Sequence, residues 1–186
     1  MTIENMTTYI CQICGDAYLG EAKPKNCPFC GAHEAFIRED DVYSARRALG
    51  FLPVVKENIN LSAVSKKNIE EFLSLELKAK EIYLCMAGKA KSYEIEAMFK
   101  RLSKVELEHA NIACKILKIK MPDVPAEKCS DEEIENFKKT IELEARAAGF
   151  YHKFAQEASE QPIKIMFTAL AQAEEDHIKL VRGYLK

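Results

Sequence analysis

The sequence predicts a mainly α protein, a four-helix bundle preceded by a small four-cysteine metal-binding domain. Two observations carry this. Residues 66–186 contain one pattern twice, shifted by 68 positions. Glu76, Ala79, Tyr83, Glu106 and His109 return as Glu144, Ala147, Tyr151, Glu174 and His177, and Met98, Phe99 and Leu102 return as Met166, Phe167 and Leu170. Residues 1–38 carry two Cys-x2-Cys pairs, Cys11 with Cys14 and Cys27 with Cys30.

A chain of 186 residues, 48% apolar and 30% charged, suits a globular protein of one medium domain with room for a small second one. Its net charge of −2 gives no electrostatic footprint for nucleic acid or an anionic membrane. No apolar run is long enough to span a bilayer. The start, MTIENMTTYI, has neither the basic nor the apolar region of a secretory signal, so a cytoplasmic location is expected. Seven cysteines, an odd number, then predict metal ligation by four and free thiols at Cys85, Cys114 and Cys129 rather than disulfides.

Residues 1–38 are punctuated by Gly and Pro and hold too few apolar side chains for a core of their own, so a metal is expected to fold them. Residues 39–65 read as a connector, in which YSARRALGF forms a short helix closed by Gly50 and Pro53. From there to residue 186 the periodicity is helical. Phe72, Leu73, Glu76, Lys80 and Tyr83 share one face of a first helix over 66–88. Ser92 caps a second over 92–119, whose inner stripe includes Phe99, Leu102, Glu106, His109, Ala113 and Ile116. Ser130 and Glu133 form a capping box for a third over 131–158, and Pro162 suits the first turn of a fourth over 162–185.

Arm lengths sharpen the pattern. Glu76 and Glu106 lie at nearly equal distances from the break at Gly88–Ser92, as do Glu144 and Glu174 from the break at Ser159–Pro162. At ~1.5 Å per residue, a chain that climbs and returns by equal lengths regains its starting height. The candidate ligands of each hairpin therefore face one another. The link KMPDVPAEKCS can reach roughly 40 Å at ~3.3 Å per residue, enough to cross a whole bundle as in ferritin-like proteins.

Glu and His three apart occupy one helix face. Glu106 with His109, and Glu174 with His177, can each grip one metal while their carboxylates bridge to the other, with Glu76 and Glu144 completing the two sites. Four carboxylates neutralise two divalent cations, whereas four unpaired buried carboxylates would be very costly. Mixed oxygen and imidazole donors suit iron or manganese. Tyr83 and Tyr151 are core aromatics whose hydroxyls, if bonded to ligand carboxylates, would also steady the site. Glu108, Glu142, Glu175 and Asp176 fall off the inner stripe, and His33 and His152 have no ligand context. The cysteine spacing fits iron or zinc equally, since both accept four tetrahedral thiolates.

The segments CQICGDAYLGEAKPKNCPFCG, LELKAKEIY, VELEHA, LEARAAGFYHKFA and LAQAEEDHIKL resemble the rubrerythrins, with the rubredoxin-type segment first, as in reverse rubrerythrins. The resemblance implies a ferritin-like di-iron bundle (66–186) behind a rubredoxin-like domain (1–38). It implies a non-haem peroxidase that reduces hydrogen peroxide to water in oxidative-stress defence, with electrons delivered singly through iron at Cys11, Cys14, Cys27 and Cys30. It also implies a head-to-tail homodimer, or a higher homo-oligomer, in which one subunit's rubredoxin site serves the partner's di-iron site. The expected electron donor is a rubredoxin or an NAD(P)H-dependent reductase. One position departs from the family. Typical rubrerythrins place a further ligand Glu one turn after the third-helix Glu, where this chain has Ala147. The remaining four Glu and two His resemble bacterioferritin-like and oxidase-type centres, so a ferroxidase or oxygen-reducing protein is the first alternative. A non-enzymatic electron-transfer or metal-binding protein with structural zinc at the cysteines is the second.

Overall fold

A computed structural model describes residues 6–39, 53–56 and 58–185. The short helix expected within 43–51 lies outside them.

The N-terminal part is a three-stranded antiparallel sheet in the order β2-β1-β3, with β1 at Thr7–Cys11, β2 at Ala17–Gly20 and β3 at Ile37–Glu39. Two matching turns hang from it. Gly15 N–H bonds Cys11 O, and Gly31 N–H bonds Cys27 O, each at 3.0 Å. Both glycines adopt positive φ (82° and 74°), the left-handed conformation that glycine enters without a Cβ clash.

Among the described residues, four α-helices follow: α1 (Ala63–Lys89), α2 (Tyr93–Leu117), α3 (Glu133–Glu157) and α4 (Gln161–Arg182). Ser62 caps α1 through Ser65 N–H, and Ser92 caps α2 through Ile95 N–H, as expected for Ser92. α2 stops at Leu117 because Lys118 turns left-handed (φ 57°), its N–H closing on Cys114 O. The capping box expected at Ser130 does not form. Asn136 instead ties back to both the N–H and the C=O of Ser130, the Ser130 hydroxyl accepts Glu132 N–H, and the helix begins at Glu133. Glu133 itself accepts Lys91 N–H at 3.1 Å, joining the top of α3 to the α1–α2 turn.

The connection from α2 to α3 runs the length of the bundle. Lys118 near its start bonds Asn58, beside the foot of α1, whereas Asp131 at its end pairs with Lys89 at the head of α1. The helices therefore run up, down, down and up, the ferritin-like order with one long crossover. α1 packs on α2 and α3 on α4, while α1 and α3 lie antiparallel side by side. Apolar side chains fill the two ends. Ile69, Phe72, Ile112, Phe154, Ile163 and Phe167 pack the lower half, continuous with the buried residues of the sheet domain. Ile82, Met86, Phe99, Leu102, Phe137 and Val181 pack the upper half. Among the described residues, no helix is long and apolar enough to cross a membrane.

One expectation about the cysteines fails. Cys114 is free and buried, but Cys85 and Cys129 form a disulfide. The crossover delivers Cys129 to the last turns of α1, a meeting that a separation of 44 residues does not reveal.

At the foot of the bundle Glu160 joins two helix starts. Its carboxylate accepts the Ser62 N–H and the Ser65 hydroxyl, each at 2.5 Å. Slight burial opposes ionisation, but these bonds win and hold the carboxyl at about 2 rather than the ordinary 4.5. Glu160 therefore stabilises the fold fully above pH 4.5, and the contribution is lost as pH falls through about 2. Glu160→Gln is expected to lower stability at pH 7 by no more than about 1 kcal/mol, because the group faces water. Urea titrations should show the gap between the two proteins closing toward pH 2; a gap that widens in acid would contradict the assignment.

Candidate metal centre

Between the two apolar halves lies a polar layer. Helical periodicity turns Glu76 of α1, Glu106 and His109 of α2, Glu144 of α3, and Glu174 and His177 of α4 toward the bundle axis, each 8% exposed or less. Their atoms form two overlapping sets, Glu76–Glu106–His109–Glu174 and Glu106–Glu144–Glu174–His177, and within each set the candidate ligand atoms lie within 4.8 Å of one another. Glu106 and Glu174 belong to both. His109 Nδ1 lies 3.4 Å from Glu76, 3.0 Å from Glu106 and 3.3 Å from Glu174. His177 Nδ1 lies 3.4 Å from Glu106, 3.4 Å from Glu144 and 2.9 Å from Glu174. The 68-residue repeat thus becomes a pseudo-two-fold axis through the site.

Electrostatics asks for cations here. Burial, then Glu174, Glu144 and Glu76, push the Glu106 carboxyl well above its ordinary range. Burial and Glu174 raise Glu144 to about 7. Burial opposes charge on His109, yet Glu76, Glu106 and Glu174 hold it well above the usual histidine value, and Glu144, Glu174 and Glu106 do the same to His177. Both Glu106 oxygens, Glu174 Oε1 and His109 Nδ1 have no hydrogen-bond partner although fully buried. Such orphaned donor atoms around one point fit two divalent ions, which would satisfy them and neutralise four carboxylates.

The tyrosines bind crosswise. Tyr83 of α1 donates to Glu144 of α3 at 2.6 Å, and Tyr151 of α3 donates to Glu76 of α1 at 2.5 Å. Burial, first, and the neighbouring carboxylates keep both phenols well above their ordinary range, so they remain donors. Tyr83→Phe or Tyr151→Phe is expected to weaken metal affinity or activity by about 10–100-fold. Metal titration of each variant checks this; affinity unchanged in both would remove the tyrosines from the site.

Cys11, Cys14, Cys27 and Cys30 converge below β1 and are all buried. The Sγ atoms of Cys11 and Cys30 lie 3.7 Å apart, those of Cys14 and Cys27 3.8 Å. A tetrahedron with ~2.3 Å metal–sulfur arms has edges of about 3.8 Å, so the cage fits one tetrahedral ion. Bonding among the four sulfurs raises Cys14 and lowers Cys27, the uneven proton sharing of a crowded thiol cluster.

The second cysteine turn rests on the α2–α4 face. His109 Nε2 lies 2.8 Å from Cys30 O. A carbonyl only accepts, so Nε2–H donates to it, which turns Nδ1 toward the carboxylates, where it would ligate a metal on giving up its own proton. A Cβ at Gly31 would stand 3.3 Å from Ala173 Cβ and 3.9 Å from His177 Nε2, so glycine lets the turn approach α4. Asn26 adds bonds to Gly31 O and to Asp176. The contact with His109 was not anticipated; its only sequence signal is the glycine after each knuckle.

The off-stripe residues pair at the surface. Glu108 bonds Asn111 and Lys115, Glu142 bonds Lys139, Glu175 bonds His152, and Asp176 bonds Lys179. His33 caps the 3-10 turn before β3. Lys80, expected on the inner face of α1, is half-buried and pairs with Glu81.

A ferritin-like bundle with a carboxylate–histidine cluster at mid-height, and a four-cysteine cage seated on it, defines a protein built for two kinds of metal site. The family model described as Rubrerythrin matches residues 67–134. That match covers about a third of the chain, α1 and α2 with the crossover, and the four-cysteine cluster N-terminal to the bundle fits the reverse rubrerythrin-like arrangement. Members of that family are generally oxidoreductases, and the domain together with the two clusters supports a di-iron protein. No curated protein and no solved structure matches the chain with significant similarity.

Proposed function

We propose that this protein is a peroxidase that reduces hydrogen peroxide to water at a di-iron site held by Glu76, Glu106, His109, Glu144, Glu174 and His177. Electrons enter through an iron at the four cysteines. What supports the reading is the hydrogen bond from His109 Nε2–H to Cys30 O at 2.8 Å, which joins the two clusters by one ligand side chain. When bound, the irons would supply two electrons at the carboxylate–histidine cluster and one at a time from the thiolate cage. The protein's own tasks are plain. Glu106 and Glu174 would contribute to both ion positions, Tyr83 and Tyr151 donate hydrogen bonds that steady the carboxylates of Glu144 and Glu76, and the buried apolar halves exclude water. The Cys30–His109 contact lies within one chain, so electron entry by this route needs no partner subunit. A homodimer and an external donor, a rubredoxin or an NAD(P)H-dependent reductase, complete the proposal.

Ala147 favours a second reading. Without an additional Glu beside Glu144, the ligand set is symmetric and suits oxygen reduction or ferroxidase chemistry. Stopped-flow oxidation of the iron-loaded, reduced protein separates the two. The peroxidase reading expects much faster oxidation by hydrogen peroxide than by dioxygen; the reverse order would overturn it.

A further inference from the structure

The face opposite the cysteine domain holds a cavity of about 340 Å³ between α1 and α3. Its inner end reaches Glu76, Glu144 and Tyr151, and its walls include Leu75, Ala79, Ile82, Leu143 and Ala147. Lys78, Lys139 and Arg146 also line it. Lys139 shares its charge with Glu142, and Arg146 lies over the Phe150 ring at 5.4 Å. The repeated alanines, Ala79 and Ala147, keep the space open, since larger side chains there would extend into it.

Size and lining both exceed what hydrogen peroxide needs. A water occupies about 30 Å³ in the liquid and peroxide adds one oxygen, whereas sites for organic ligands run from about 300 Å³ upward. An apolar wall leading from three cations to a redox site matches an amphipathic acid.

We propose that the cavity admits an organic hydroperoxide carrying a carboxylate. Its apolar stem lies along Ala79, Ile82, Leu143 and Ala147, its carboxylate meets Lys78, Lys139 and Arg146, and its O–O group reaches Glu76 and Glu144. The reaction is ROOH + 2e⁻ + 2H⁺ → ROH + H2O. The O–O bond breaks, one oxygen stays on carbon as the alcohol and the other leaves as water. Both electrons come from a one-electron reductant acting in two turns through the four-cysteine site. This extends the peroxidase reading and rests on it.

Calorimetric titration of the full-length, metal-loaded protein with octanoate, and with octanol as the uncharged control, tests binding apart from turnover. Octanoate is expected to bind at least about tenfold more tightly than octanol. Lys78→Ala and Arg146→Ala should each weaken octanoate severalfold, and Ala147→Leu should abolish it. Equal binding of acid and alcohol, or unchanged octanoate binding in Ala147→Leu and in the surface variant Lys78→Ala, would overturn the proposal. Stopped-flow oxidation of the reduced wild type by an eight-carbon carboxy-hydroperoxide should be fast and blocked by octanoate. If hydrogen peroxide oxidises the protein rapidly but octanoate does not bind, this inference falls and the peroxidase reading stands. If octanoate binds but neither hydroperoxide outpaces dioxygen, both fall.

Discussion

Glu106→Ala should strip metal from both halves of the carboxylate–histidine cluster at once, because Glu106 belongs to both ligand sets. Turnover is expected to fall by at least ~10²-fold, beyond the effect of losing a group that only supports a ligand. The helical circular dichroism should survive, since the substitution also removes a buried carboxylate whose burial is costly. Glu174→Ala should behave in the same way. Glu76→Ala touches one set only and should leave one ion bound. Metal analysis of the three variants distinguishes them, and two ions with full activity in Glu106→Ala would refute the bridging assignment.

Cys14→Ser should empty the thiolate cage while leaving the Cys30 backbone contact with His109 outside the substituted turn. Metal binding contributes about 10–16 kcal/mol to small four-ligand domains, so the β1–β3 sheet should lose its order. Turnover driven by an external reductant should stop, while one round of peroxide oxidation of a chemically reduced bundle should persist. Loss of the red ferric-thiolate absorption marks the iron form; a wild-type cage that binds only zinc and stays colourless would remove the electron-entry role.

The convergence of the six candidate ligands was legible because two physical regularities coincided. Helical periodicity put Glu106 with His109 and Glu174 with His177 on inner faces, and equal arms around each turn set them level with Glu76 and Glu144. The long crossover was legible from its length and its two prolines. What escaped the sequence depends on surfaces that meet only after folding. Cys85 and Cys129 stand 44 residues apart, and no local pattern brings a loop cysteine to the last turns of α1. The seat of Cys30 on His109 depends on how a small sheet docks against two helices, for which spacing holds no information. Ser130 misled for a local reason, because Asn136 competes for the same backbone groups. The crossed pairs Tyr83–Glu144 and Tyr151–Glu76 required the antiparallel placement of α1 beside α3, although the hydroxyl-to-carboxylate bonds themselves were foreseeable.

The Cys85–Cys129 bridge also closes residues 85–129 into a covalent ring. That ring contains the whole of α2, with Glu106 and His109, and the exposed stretch around Pro122 and Pro125. A protease cutting this stretch would open the ring without dividing the molecule. The two repeats would stay tethered through sulfur, and the nicked chain would separate into fragments only after reduction.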